Sequence, residues 1–457
     1  MDLRKKKFAT THGVSKLKRT LKTSDLILLG LSAIVGTGIF VVTGTAASEE
    51  AGPALILSFI IAAIAVIMNG FSYAEFSSRI PVSGGSYNYV YVIFGEFIAW
   101  FVSWFTICEY VLAGASVAAG WSAYMQGFLT GLNIHMPTAL SASYNASKGS
   151  YVDIIAVVVT LFVTWLTTFE AKKALRLSKI MVFVKFAIII LFVVVGVFYI
   201  KPGNWQPFMP FGTSGVMSGA ALVFFAFLGF ESIAMASDEV IDPQKTIPKG
   251  IIGAISISAI FYIIVTLVLT GIVPYTQLNV SDPVAFAMRF INQSIIGNII
   301  SVGAIMTLLS VLIALAYGLS RMIYSEARDG LLPKYLTKIS KETNAPKAAS
   351  WTVGILISIA SGLISIESLA KLTNIVTLAV LVSLALALIS LRKQFGEPKK
   401  GQFRVPFVPL LPILSIVISG YLMIKLPINI WIAFLIWTIL GVIAYYGYGY
   451  SHSKQKK

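Results

Sequence analysis

The chain alternates long apolar stretches with short polar or basic connections, and each stretch approaches the ~20 residues that carry an α-helix across a hydrocarbon core. That pattern leaves few folds open. In lipid every backbone N–H and C=O must find a partner inside the protein, so only helices and closed barrels span. Apolar runs of this length without strict alternation are helical. About twelve spans are expected, near 24–47, 53–78, 96–129, 152–169, 180–200, 216–237, 250–273, 295–324, 349–366, 369–391, 405–424 and 428–450. The expected fold is therefore an all-α polytopic membrane protein. Only 12% of the residues are charged, about half the share of a soluble domain.

The formal charge of +16 reads as topology rather than nucleic-acid binding. Most Lys and Arg fall in alternate connections, on the side of the N-terminus. By the positive-inside rule both termini are then cytoplasmic, which requires an even number of crossings and is expected of a multi-pass protein of the cell membrane. The basic connections are Lys172, Lys173, Arg176 and Lys179, then 328–347, then 392–404. The first 23 residues read as a cytoplasmic tail rather than a cleaved leader. The connection 130–151 is expected to cap the outer face, and its Asn145-Ala146-Ser147 sequon is too common a pattern to carry weight. A single cysteine, Cys108, rules out an internal disulfide, and His12, His135 and His452 show no metal-ligand spacing. No cofactor, metal or ATP-binding loop is expected.

Two of the spans are interrupted by glycine. One carries Gly36-Thr37-Gly38-Ile39, the other Phe225-Ala226-Phe227-Leu228-Gly229-Phe230. Such interruptions in corresponding places of two halves point to the substrate site of a secondary transporter. A helix that unwinds in the membrane bares N–H groups at one new end and C=O groups at the other, with positive and negative partial charge respectively. A small zwitterion matches both. The expected arrangement puts a carboxylate at Thr37, Gly38 and Ile39, where Gly36 and Gly38 let the backbone turn, and an ammonium at the carbonyl of Ile34 and those near Phe225, Ala226 and Leu228, with Gly229 in the second break. As an alternative, these glycines serve only close helix packing. The breaks fall in spans one and six. An offset of five implies two five-helix repeats of opposite orientation, over 24–200 and 201–391, with two added helices over 392–450 and a short tail over 451–457.

Five charges in or at the ends of the spans stand out. Lys185, in the fifth span, either snorkels to the surface or points inward and exchanges a proton. Glu109, mid-way along the third span, either carries a proton or makes a structural hydrogen bond. Glu231 follows the second break directly, and either draws a cationic substrate or ties the broken helix to a neighbour. Glu75 and Arg79, four apart at the end of span two, can pair on one helical face, as an inner gate or as an interfacial pair. Phe225, at the level of the proposed site, reads on its own as ordinary packing. Leu315, in the eighth span, is a candidate pocket residue whose bulk favours small or medium neutral amino acids.

These motifs resemble the amino acid permeases of the amino acid–polyamine–organocation superfamily, in particular bacterial relatives of the cationic amino acid transporters. The resemblance rests on Gly36-Thr37-Gly38-Ile39-Phe40, on Tyr73-Ala74-Glu75 with Pro81-Val82-Ser83-Gly84-Gly85-Ser86-Tyr87, on the break at 225–230, on Glu239 with Asp242-Pro243 and Ile247-Pro248-Lys249-Gly250-Ile251, and on Arg328-Asp329-Gly330-Leu331-Leu332-Pro333. It implies the inverted five-plus-five repeat, with discontinuous helices one and six. It implies that the Lys185 ammonium stands where sodium-coupled relatives bind a cation between helices one and eight. It also makes Phe225 the candidate outer lid. Glu231 departs from the shorter Asp common in the family. The expected function is a proton-coupled amino acid symporter working by alternating access. An amino acid/amine exchanger and a non-transporting sensor are the alternatives. The expected partners are an amino acid, protons and lipid, without nucleic acid. An intramembrane enzyme lacks parts: no His falls in a span, and no G-x-S-x-G is present.

Overall fold

The computed structural model describes residues 21–80, 85–131, 133–169, 171–235, 240–340 and 345–453, with backbone only at 169, 171–180, 182 and 235. The calls on Pro81-Val82-Ser83-Gly84, on Glu239, on most of the N-terminal tail and on the end of the C-terminal tail lie outside the described residues. The protein is an all-α polytopic membrane protein. Among the described residues, seven helices are long and apolar enough to cross a membrane and five apolar helices are shorter.

The first span opens with α1 (Thr23–Ile34). The backbone then leaves the helix at Val35 and Gly36 and resumes in wide turns over Gly38–Val42 and Ala46–Ala51. Next come α2 (Leu55–Arg79), a short α3 (Gly85–Phe94), α4 (Glu96–Gly131), α5 (Ile154–Phe169) and α6 (Ala171–Gly196). The second interrupted segment is α7 (Gly212–Val223), a tight turn over Phe224–Phe227, an extended Leu228, and α8 (Glu231–Met235). The rest comprises α9 (Pro243–Ile272), α10 (Pro283–Phe290), α11 (Ser294–Asp329), α12 (Lys347–Leu363), α13 (Ile366–Phe395), α14 (Leu410–Ile424) and α15 (Ile428–Ala444).

Several boundaries differ from expectation, each for a local reason. The basic stretch Lys172–Lys179 is helical, part of α6, because Ala, Lys, Leu and Arg are strong helix formers whatever their charge. Helix α9 begins seven residues early, with Pro243 at its first position, where a missing N–H costs nothing. Helix α11 runs through Arg328 to Asp329 and stops at left-handed Gly330. Helix α14 starts five residues late, behind Pro406 and Pro409.

Helix α2 packs on α9, α4 on α11 and α13, α6 on α11, and α5 on α12. Helices α14 and α15 join this core through polar and aromatic contacts. Asn69 of α2 donates to Ser419 at 3.2 Å and accepts from Ser415 at 2.8 Å. Trp104 stacks on Trp437 with centroids 4.6 Å apart. Most of the interior is a large apolar cluster, with a smaller one at Trp100, Leu331 and Tyr445, while most of α15 faces outward. At the lysine-rich end, Glu75 is fully buried. It accepts from both ends of the Arg392 guanidinium (2.9 and 2.6 Å), from the Val405 N–H (2.8 Å) and from Arg79 (3.4 Å). The pair expected within α2 is thus one arm of a knot that holds α2 to the base of α13.

Candidate functional site

The two interruptions meet backbone to backbone. A Cβ built on Gly38 would lie 2.3 Å from both Cα and Cβ of Ala226. Gly229 has φ +105°, a left-handed conformation that side chains rarely adopt, and its Cβ would lie 2.9 Å from the carbonyl carbon of Ala33. Only glycine permits this approach. The first N–H groups of a helix have no partner inside it; here they belong to Thr37, Gly38 and Ile39, and the earliest backbone bond is Phe40 N–H to Gly36 C=O at 3.3 Å. The Thr37 side chain is 3% exposed and its hydroxyl has no hydrogen-bond partner among the described residues. In the second break the Phe225 carbonyl accepts from Leu228 N–H at 3.2 Å, and Gly229 N–H donates to Glu231 at 3.1 Å. Glu231 therefore folds back on its own turn.

Lys185 is fully buried and points inward. Its Nζ donates to the carbonyl of Ser32 at 2.6 Å, in the last turn of α1. That carbonyl is one of the bare acceptors at the negative end of a half-helix, so α6 supplies a cation to the tip of α1. Glu109 and Glu231 are both buried and within electrostatic reach of each other, and Glu109 lies beside Thr377 of α13. Tyr73 and Tyr110 adjoin the same two carboxyls, and Phe230 packs edge-on against Tyr73 at 5.3 Å. Phe225 is buried in the second break. Leu315 is half-buried against the core. Val311, one turn earlier on the same face, looks toward Gly36: a Cβ built on that glycine would lie 3.4 Å from the Val311 side chain.

Sequence reasoning missed Tyr262 of α9. Its hydroxyl lies 3.0 Å from the Ile34 carbonyl and 2.6 Å from the Ala226 carbonyl, inside the protein, and its single proton serves one of them at a time. It bridges the two broken segments at the carbonyls expected to meet an ammonium. Each carbonyl keeps a second lone pair for a ligand. The only signal in the chain is a polar-tipped aromatic inside an apolar span, which buried sites nearly always pair with an acceptor. Tyr262→Phe is expected to lower stability by about 1–3 kcal/mol, the cost of a buried carbonyl left unpaired, and to weaken ligand binding further. Thermal unfolding of the purified variant with and without ligand measures both effects.

The family model described as "Amino acid permease" matches residues 21–450. Similar proteins include the methylthioribose transporter of Bacillus subtilis (strain 168), 45% identical over 99% of each chain. The branched-chain amino acid permease BcaP of the same organism is 40% identical over 98% of this chain and 96% of its own. The cationic amino acid transporter 4 of Homo sapiens is 28% identical over 97% and 89%.

Proposed function

The chain belongs to the amino acid permease family, and on that premise we propose that it is a secondary active amino acid transporter of the cell membrane, a proton-coupled symporter with both termini cytoplasmic. Transport, not catalysis, is the activity of its named relatives. The observation that carries the proposal is the abutment of the two unwound segments at Gly38 and Ala226 beside the unpartnered Thr37 hydroxyl. The N–H groups of Thr37, Gly38 and Ile39 receive the α-carboxylate, and the carbonyls of Ile34, Ala226 and Leu228 receive the α-ammonium. The twelve-helix, five-plus-five arrangement is proposed as well. Exchanging span one with six, two with seven, three with eight, four with nine and five with ten maps the packing of α4 on α13 onto that of α11 on α6, and returns the α2–α9, α4–α11 and α5–α12 pairs to themselves. Alternating access then amounts to rocking about the site. Lys185 couples it to protons by releasing and retaking the Ser32 carbonyl.

Small or medium neutral side chains are the proposed substrates, with Val311 and Leu315 limiting the pocket. A relative named for branched-chain amino acids fits that class. A relative named for methylthioribose favours a second substrate, an uncharged sugar, for which the buried Glu109 and Glu231 would accept hydrogen bonds from the hydroxyls. A thermal-shift screen of the purified protein against the twenty amino acids, common amines and methylthioribose separates the two. A ligand at a hundred times its Kd stabilises the folded form by about 2.7 kcal/mol. Stabilisation by neutral amino acids is expected; a response to methylthioribose alone transfers the site to the sugar. Uptake into substrate-free proteoliposomes under an imposed pH gradient distinguishes symport from exchange, which needs internal substrate.

A further inference from the structure

We propose that the lysine-rich end carries a binding site for an anionic phospholipid, in the cleft between the first turns of α9 and the hairpin joining α13 to α14. The cleft encloses about 500 Å³. One wall is α9, with Lys245, Pro248, Lys249 and Ile252; the other is the hairpin, with Gln402 and Phe403. The walls are fixed in register. Ser78 of α2 donates to the Gln244 carbonyl at 3.0 Å and accepts from the Phe403 N–H at 2.8 Å, and the Phe403 ring stacks on Phe71 with centroids 6.1 Å apart.

The lining has two chemistries in order. Pro248, Ile252 and Phe403 form an apolar floor, suited to the glycerol and the upper acyl chain. Lys245 and Lys249, four apart on one helical face, stand exposed at the mouth. Lys249 makes no ion pair among the described residues. Lys245 meets Asp242 at 3.5 Å, but both side chains are at least half exposed, so that pair is weak and easily exchanged. Lys399, Lys400 and Arg404 of the hairpin add positive charge nearby; among the described residues Arg404 alone of the three is paired, with Glu397 at 3.2 Å. A free phosphate would leave the apolar floor uncovered, and in a zwitterionic lipid the headgroup's own cation offsets the phosphate that Lys245 and Lys249 would attract. An anionic lipid uses both. Its source is the inner leaflet, whose anionic headgroups attract juxtamembrane basic residues, and in that respect the inference rests on the orientation proposed above.

Native mass spectrometry of the full chain in detergent, with added phosphatidylglycerol, phosphatidylcholine or inorganic phosphate, tests it. The wild type is expected to retain phosphatidylglycerol in preference to phosphatidylcholine, with no competition from phosphate. The K245Q/K249Q pair is expected to weaken retention about tenfold, and more than the K399Q/K400Q pair, whose side chains lie outside the lining. Both pairs change exposed side chains only, so folding is kept, and substrate thermal shift on the same samples reports the transport site separately. Equal loss in the two pairs, retention unchanged in K245Q/K249Q, or displacement of the lipid by phosphate would overturn the inference.

Discussion

Valine at Gly38 is expected to abolish substrate binding while the chain still inserts and folds. The added Cβ would occupy the space of Ala226 Cα and Cβ, 2.3 Å away. Backbone cannot yield as a flexible side chain can, so the two interrupted segments must part. The carboxylate then loses its N–H donors. Charge-assisted bonds contribute about 1.5–3 kcal/mol each, so losing two lowers affinity by about 10²–10⁴-fold. Gly38→Ala is expected to show the same loss in weaker form. Elution behaviour and basal melting of the purified variants separate misfolding from a damaged site, and ligand-induced stabilisation gives the affinity. Wild-type affinity in a folded Gly38→Val protein would remove the clamp from the account.

The second large effect is at Lys185. Lys185→Met keeps most of the volume and removes the ammonium, leaving the Ser32 carbonyl without its partner. Stability is expected to fall by about 1–3 kcal/mol. A structural lysine would produce that fall too. The discriminating readout is the slope of initial uptake against external pH in proteoliposomes. It is expected to be steep in the wild type and flat in the variant. Lys185→Arg is expected to keep the contact but not the slope, because a guanidinium does not release its proton in proteins. A slope unchanged in Lys185→Met, with stability lost, would make the lysine a fastener of α6 to α1 and nothing more.

The features legible in the sequence were those that contradict their surroundings. Glycines inside apolar spans, Gly36 and Gly38 in one and Gly229 in the other, announced interruptions, and the helices break at Val35–Gly36 and at Phe224–Phe230. A lysine in the fifth span announced an inward or snorkelling role, but not its partner, because no residue spacing encodes that Ser32, 153 positions away, carries the bare carbonyl it reaches. Tyr262 was invisible for the same reason. It differs from a packing aromatic by one oxygen, and its meaning depends on the positions of Ile34 and Ala226. Helix α3 and helix α10 were missed because they are too short to show a spanning pattern. Charge misleads at 172–179: the basic run reads as a connection but is helical, because helix propensity does not fall with charge. At Glu75 the local i, i+4 pair with Arg79 was legible, while its stronger partner, Arg392, comes from the far end of the chain.

The most direct measurement is a structure of the protein with the ligand that the thermal-shift screen identifies. A carboxylate within hydrogen-bond distance of the Thr37, Gly38 and Ile39 N–H groups is expected, with an ammonium against the carbonyls of Ile34, Ala226 and Leu228 beside the Tyr262 hydroxyl. Ligand density elsewhere in the bundle, with those peptide groups paired only to protein, would contradict the account.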